Sequence, residues 1–264
     1  MKNTWLIALT LGAVFAASPT MAADTLRIGT EGAYAPFNYM DDNGELGGFE
    51  IELGNALCAQ MERECEFVVN EWDSIIPNLL AGNYDAIMAG MSITEERKET
   101  IAFSDEYKPV DPSLYLAMAD SDLDFANLED ANIGVQGATI QAGFIEEKYG
   151  ENNTVKAYET SDQALADLAG GNVDIVLADG EVSRTTADAS NGMMELVGPE
   201  ELVGGGIAIG LRQTDTELLT AFNEALDALK ADGTVDDLLK KYFKLEPVFA
   251  TDEASSEAET DSTE

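Results

Sequence analysis

Apolar side chains at Phe49, Leu53, Ala56, Leu57 and Met61 return at helical spacing, which predicts a helix over residues 49–61. Short strands are predicted at Leu26–Gly29 and Glu66–Asn70, the second β-branched. The string Asp41-Asp42-Asn43-Gly44 between the first strand and that helix is a turn of the hairpin kind. Asp73 stands as the N-cap of a second helix carrying Ile75, Ile76, Leu79 and Leu80 and stopped by Gly82. Tyr84 to Met88 then reads as an apolar strand buried on both faces, as in a parallel sheet. This β-α-β-α-β order predicts an α/β sheet with right-handed crossovers.

Around Lys108–Leu116 the pattern gives way to an extended Pro-containing run, and a second α/β set follows. Its strands are expected at Asn132–Gln136, Thr154–Ala157 and Val173–Ala178, with helices at Thr139–Tyr149 and Ser161–Ala169. Gly204–Leu211 is another extended segment, and helices at Thr214–Lys230 and Gly233–Tyr242 close the pattern. The two extended segments are where the chain is expected to cross between two lobes. The first lobe is then discontinuous (23–110 and 204–249) and the second is 111–203.

Both ends are unlike the middle. Lys2, the apolar run Trp5–Ala17 and Thr20-Met21-Ala22 read as a secretory signal spanning 1–22, too short in its apolar part to cross a membrane. From Ala250 to Glu264 no large apolar residue occurs, so 250–264 is expected to be a disordered acidic tail. Cys58 and Cys65 are the only cysteines. In an exported chain a close pair reads as a disulfide closing one small loop; two buried thiols or a redox pair are the alternatives, and the spacing is not Cys-x-x-Cys.

Charge and composition remove whole classes of function. Lys and Arg number 14 against 51 Asp and Glu, a formal charge of −37 that repels nucleic acid and anionic lipid and points to a salty milieu. The chain has no histidine. Ser-His-Asp and Cys-His catalysis and histidine-ligated zinc are therefore excluded, and no metal or cofactor is expected.

Three strings carry the remaining chemistry: Thr30-Glu31-Gly32-Ala33-Tyr34-Ala35-Pro36-Phe37, Gly48-Phe49-Glu50-Ile51-Glu52-Leu53, and Ala86-Ile87-Met88-Ala89-Gly90-Met91-Ser92-Ile93-Thr94-Glu95-Glu96-Arg97. With Ile101–Asp105, Ala231–Thr234 and Lys240–Phe243 they resemble the periplasmic amino-acid-binding proteins of ABC importers, solute-binding protein family 3. The likeness is nearest the histidine, lysine-arginine-ornithine and arginine receptors and runs from Leu26 to about Leu245. It implies a type II two-lobed fold, two α/β lobes joined by two crossing strands and closing over a ligand. It also implies a disulfide at Cys58 and Cys65.

By its own chemistry Arg97 presents paired donors that match a carboxylate, although a solvated helix arginine paired with Glu96 or Glu99 is the plainer alternative. The resemblance assigns it to the ligand carboxylate. Ser92 and Thr94 are helix-cap types; the resemblance puts the Ser92 hydroxyl and the backbone near Gly90 on the ligand's α-substituents. The strand-to-helix turn Gly134–Gln141 offers free amides to an anion, and the resemblance gives the Thr139 and Ile140 amides to the carboxylate. Asp179 is either an N-cap or, by resemblance, the partner of the α-ammonium. The resemblance puts Glu31, Tyr34, Trp72 and Gln141 on the ligand's side chain, where a carboxylate and flat rings suit a cation; core packing is the plainer alternative for the two aromatics.

The expected function is a monomeric periplasmic receptor, not an enzyme, that takes a basic L-amino acid and delivers it to an inner-membrane ABC permease. A receptor for glutamine or another polar amino acid stays open, as do a dehydratase on the same scaffold and a module feeding a chemoreceptor.

Overall fold

In the computed structural model, which describes residues 25–249, β1 (Leu26–Thr30) pairs in parallel with both β5 (Cys65–Val69) and β6 (Ala86–Ile87). The signal segment 1–22 and the tail 250–264 lie outside the described residues. Between β1 and β5 come β2 (Ala33–Tyr34), β3 (Asn38–Met40) and β4 (Leu46–Gly47), a small antiparallel sheet whose β3–β4 turn is the predicted hairpin. Helix α1 (Phe49–Gln60) follows, burying Phe49, Leu53 and Leu57 as the spacing predicts. Cys58 and Cys65 form a disulfide across a Cα separation of 6.0 Å, tying the end of α1 to β5. A ring of this size stabilises by about 2–3 kcal/mol.

A 3₁₀ turn (Trp72–Ser74) leads into α2 (Ile75–Leu80), then β6, a short α3 (Glu95–Lys98) and β7 (Ile101–Lys108). β8 (Ser113–Met118) opens a second sheet, continued by β9 (Asn132–Gln136), α4 (Ile140–Tyr149), β10 (Thr154–Tyr158), α5 (Ser161–Ala169), β11 (Ile175–Asp179), α6 (Gly180–Ala189) and β12 (Met194–Glu201). β13 (Ile207–Arg212) returns to the first sheet, and α7 (Thr216–Ala231) and α8 (Thr234–Phe243) pack on it. The sheet orders are β5-β1-β6-β13-β7 and β10-β9-β11-β8-β12. The protein is thus an α/β molecule of two sheet-and-helix lobes, with the chain passing between sheets at 109–112 and 202–206.

Four local expectations change. Asp73 does not cap α2: it lies within the 3₁₀ turn, and the N-cap position, Ser74, makes no side-chain cap bond. The strand expected at Tyr84–Met88 pairs only at Ala86 and Ile87, although Tyr84 and Met88 are fully buried beside it. β7 and β12 were not in the pattern. β7 is bulged against β13 and carries Ser104, Asp105 and Glu106, which breaks the alternation. β12 contains Gly198 and Pro199, which only an edge strand with a register shift accommodates, and it is one.

Candidate functional site

The parallel strands of each sheet end at the gap between the lobes, the usual place for ligands in open α/β sheets. A cavity of about 290 Å³ lies there, lined by Glu31, Tyr34, Trp72, Ala89, Gly90, Ser92, Arg97, Gln136, Thr139, Ile140, Gln141 and Asp179. All ten residues singled out from the sequence line it; Ala89 and Gln136 are additions.

Glu31 follows β1 and is 6% exposed. It accepts a 2.6 Å hydrogen bond from Gln136 Nε2 in the opposite lobe. Burial pushes its carboxyl up to about 7, opposed by the Gln136 bond and reinforced by Asp162 and Glu50. No lysine or arginine pairs with it among the described residues. A cation arriving in the cavity would find an acceptor without a counter-charge.

Tyr34 lies against Phe37, ring centroids 5.7 Å apart, and its hydroxyl donates to Asp179 Oδ2 at 2.5 Å. Asp179 ends β11 at the N-cap position of α6, yet its carboxylate makes no cap bond. It accepts instead from Tyr34 and from Gln141 Nε2 at 2.9 Å. The plain cap reading of Asp179 is therefore not what the structure has. Burial raises its pKa, while the Tyr34 bond and the nearby Lys108 ammonium pull it back. Gln141, expected to read the ligand's side chain, gives its amide donors to Asp179 and Ser113. These bonds tie it to Asp179 and Ser113.

Arg97 leaves α3 and turns inward. Its Nη1 donates to the Ser92 carbonyl at 2.8 Å, and its guanidinium carbon lies 5.2 Å from the Trp72 ring centroid. It makes no ion pair with Glu96 or Glu99, so the solvated alternative fails. Desolvation lowers its pKa from the usual arginine value, with Asp179 and Glu96 opposing. Thr94 caps α3 through a bond from the Arg97 backbone N–H, fixing the start of the short helix that carries the guanidinium. Trp72 is buried and donates from Nε1 to the Ala138 carbonyl across the gap at 3.0 Å.

In the second lobe Thr139 caps α4, accepting from Ala142 N–H at 3.0 Å. The amides of Thr139, Ile140 and Gln141 have no acceptor among the described residues, so they remain available at a helix N-terminus. Ile140 carries no hydroxyl; its side chain approaches Gly204 of the second crossing so closely that a Cβ there would come within 2.7 Å of Cδ1. Gly90 adopts φ +62°, and a Cβ would press on the Tyr34 ring at 3.2 Å. Its N–H does not face the cavity but donates to Glu50 at 2.6 Å.

The sequence missed Gln136 because a polar residue closing an apolar strand looks like ordinary strand termination. The usable signal was its place at the carboxyl end of β9, the edge where ligands gather.

The family model for bacterial extracellular solute-binding proteins, family 3, matches residues 26–245. The chain belongs to that family. It is 38% identical over 259 residues to the lysine/arginine/ornithine-binding periplasmic protein of Escherichia coli K12, covering 92% of this chain and 96% of the relative. It is 37% identical to the histidine-binding periplasmic protein of Salmonella typhimurium, covering 90% and 96%. A solved periplasmic His/Glu/Gln/Arg/opine family-binding protein from Silicibacter pomeroyi, in complex with lysine, superposes with a TM-score of 0.78 at 43% identity. That match covers 84% of this chain and 99% of the other. That solved protein shares the fold described above.

Proposed function

We propose that this family 3 protein is a periplasmic receptor for a basic L-amino acid, arginine or lysine foremost, which it delivers to an inner-membrane ABC permease without chemical change. The observation that carries the reading is the buried Glu31 in the same cavity as the half-buried Arg97, neither of which makes an ion pair among the described residues. An α-amino acid supplies the missing carboxylate, and a basic side chain supplies the missing cation.

In this reading Arg97 and the amides of Thr139 and Ile140 take the ligand carboxylate. Asp179, with Ser92 and the backbone at Gly90, takes the ammonium, and Glu31, Tyr34 and Trp72 receive the side chain. Lobe 1 is 23–110 with 204–249, lobe 2 is 111–203, and the exported chain works as a monomer. The α-carboxylate and the α-ammonium then each meet groups from both lobes, so the ligand gains its full set of contacts only when the lobes close. That differential affinity is what drives closure. Micromolar to nanomolar binding needs about −8 to −12 kcal/mol, within reach of several charge-assisted bonds and ring contacts after ordering costs.

Isothermal titration at high salt against the twenty amino acids plus ornithine tests the reading. Arginine or lysine is expected to bind tightest. Preference for an acidic or apolar amino acid, or conversion of the ligand seen by mass spectrometry, overturns it.

A further inference from the structure

Behind the cavity, and outside its lining, Glu50 occupies the first turn of α1 and is completely buried. Three donors converge on its carboxylate. Gly90 N–H reaches Oε1 at 2.6 Å, the Tyr107 hydroxyl bonds the same oxygen, and Asn38 Nδ2 reaches Oε2 at 2.7 Å. Asn38 in turn accepts from Gly32 N–H at 2.7 Å, which fixes the orientation of its amide. No lysine or arginine pairs with Glu50 among the described residues. Burial pushes its pKa up and the three donors pull against that shift. Gly90 N–H and the Asn38 NH₂ group can only donate, so each takes one Glu50 oxygen as its acceptor.

Each of the two arms ends on a peptide that flanks the cavity. In a trans peptide the carbonyl points opposite the N–H. Holding Gly90 N–H toward Glu50 therefore sends the Ala89 carbonyl the other way, and that carbonyl accepts no hydrogen bond among the described residues. Ala89 and Gly90 both line the cavity. A hydrogen bond on the N–H side also strengthens the carbonyl as an acceptor. The second arm, through Asn38, fixes the Glu31–Gly32 peptide, where Gly32 has φ +74°, and with it the root of the Glu31 side chain.

We infer that Glu50 is a positioning residue for cation recognition: through Gly90 and Asn38 it aims two cavity acceptors, the Ala89 carbonyl and the Glu31 carboxylate, at the donors of a basic side chain. This inference rests on the proposed basic-amino-acid reading.

Glu50→Gln tests it sharply, because either orientation of the new amide faces its NH₂ toward Asn38 Nδ2 or toward Gly90 N–H. One arm must break. Titration of wild type and variant with arginine and with citrulline, its neutral isostere, separates positioning from plain stability. The expected result is an arginine affinity about tenfold weaker in Glu50→Gln, with a smaller loss for citrulline, so that the arginine-to-citrulline ratio shrinks. Tyr107→Phe keeps both arms and is expected to lower the melting temperature while leaving that ratio within about twofold of wild type.

A Glu50→Gln protein that melts cooperatively and keeps the wild-type arginine affinity and ratio overturns the inference. If that variant does not fold, Asn38→Ala, which cuts only the Gly32 arm, carries the same test, and an unchanged ratio counts equally against it. Wild-type protein that binds neither ligand defeats the proposed function instead, so the two failures are distinguishable.

Discussion

Three parallel strands, β5-β1-β6 in one lobe and β10-β9-β11 in the other, are each followed by a reversed strand, β13 or β8. In both lobes the reversed strand is the one that enters just after the chain has crossed over. The functional groups then sit at matching places: Glu31 after β1 and Gly90 after β6, Gln136 at the end of β9 and Asp179 at the end of β11. The means of holding them differ. The second lobe places its groups at the starts of α4 and α6, where helix geometry itself frees amides and aims them. The first lobe has no such helix at Glu31 or Gly90 and relies on a buried carboxylate with an amide relay. A common sheet plan therefore fixes where a site lies, while local devices decide how its groups point.

If the lobes divide the ligand as proposed, removing one group from each should have unequal consequences. Arg97→Ala is expected to weaken binding of every amino acid about a thousandfold, because it strips the half-buried cation from the carboxylate. Isothermal titration that still finds micromolar arginine binding in this variant would falsify the carboxylate grip. Asp179→Asn is expected to cost about a hundredfold, also for every amino acid, since Tyr34 and Gln141 continue to hold the side chain in place. A loss confined to basic ligands would instead move Asp179 from the ammonium to the side-chain end.

Glu31→Gln should discriminate. Arginine is expected to lose about tenfold more affinity than glutamine, and equal losses would remove Glu31 from selectivity. Its pH behaviour sharpens the test. The buried carboxyl ionises at about 7, against 4.5 for an ordinary glutamate. A basic side chain needs it charged, so arginine affinity in wild type should rise with pH to about 7 and level off above, and Glu31→Gln should flatten that rise. Stability runs the opposite way. Between those two values the folded protein keeps a proton that the unfolded chain has released, so this group's contribution falls as pH rises through the window. In thermal melts of the ligand-free proteins, Glu31→Gln should therefore gain on wild type from pH 4.5 to 7; a constant gap would show that Glu31 does not titrate there.

The smallest effect is expected across the gap. Trp72→Phe keeps a ring beside Arg97 but deletes the bond to the Ala138 carbonyl, and should weaken arginine binding about fivefold. Small-angle scattering of the ligand-bound variant should show the same closed envelope as wild type. A persistently open envelope would make this single bond a principal latch between the lobes.

The alternating apolar pattern was enough for α1, β9 and α5, whose residues face one core in a regular period. It was not enough for β7 and β12, where bulges and edge exposure erase the period. For the site, the motif resemblance assigned Arg97, Glu31 and Asp179, while residue type alone left a solvated helix arginine and an N-cap aspartate open. Sequence spacing could not tell that Gln141 serves Asp179, that Gln136 bonds Glu31 over 105 positions, or that Glu50 supports Gly90 over 40. Hydrogen bonds of 2.6–2.9 Å depend on the meeting of distant segments, and only the packing of two sheets across one gap sets those meetings. Local chemistry chose the groups; the tertiary structure chose their partners.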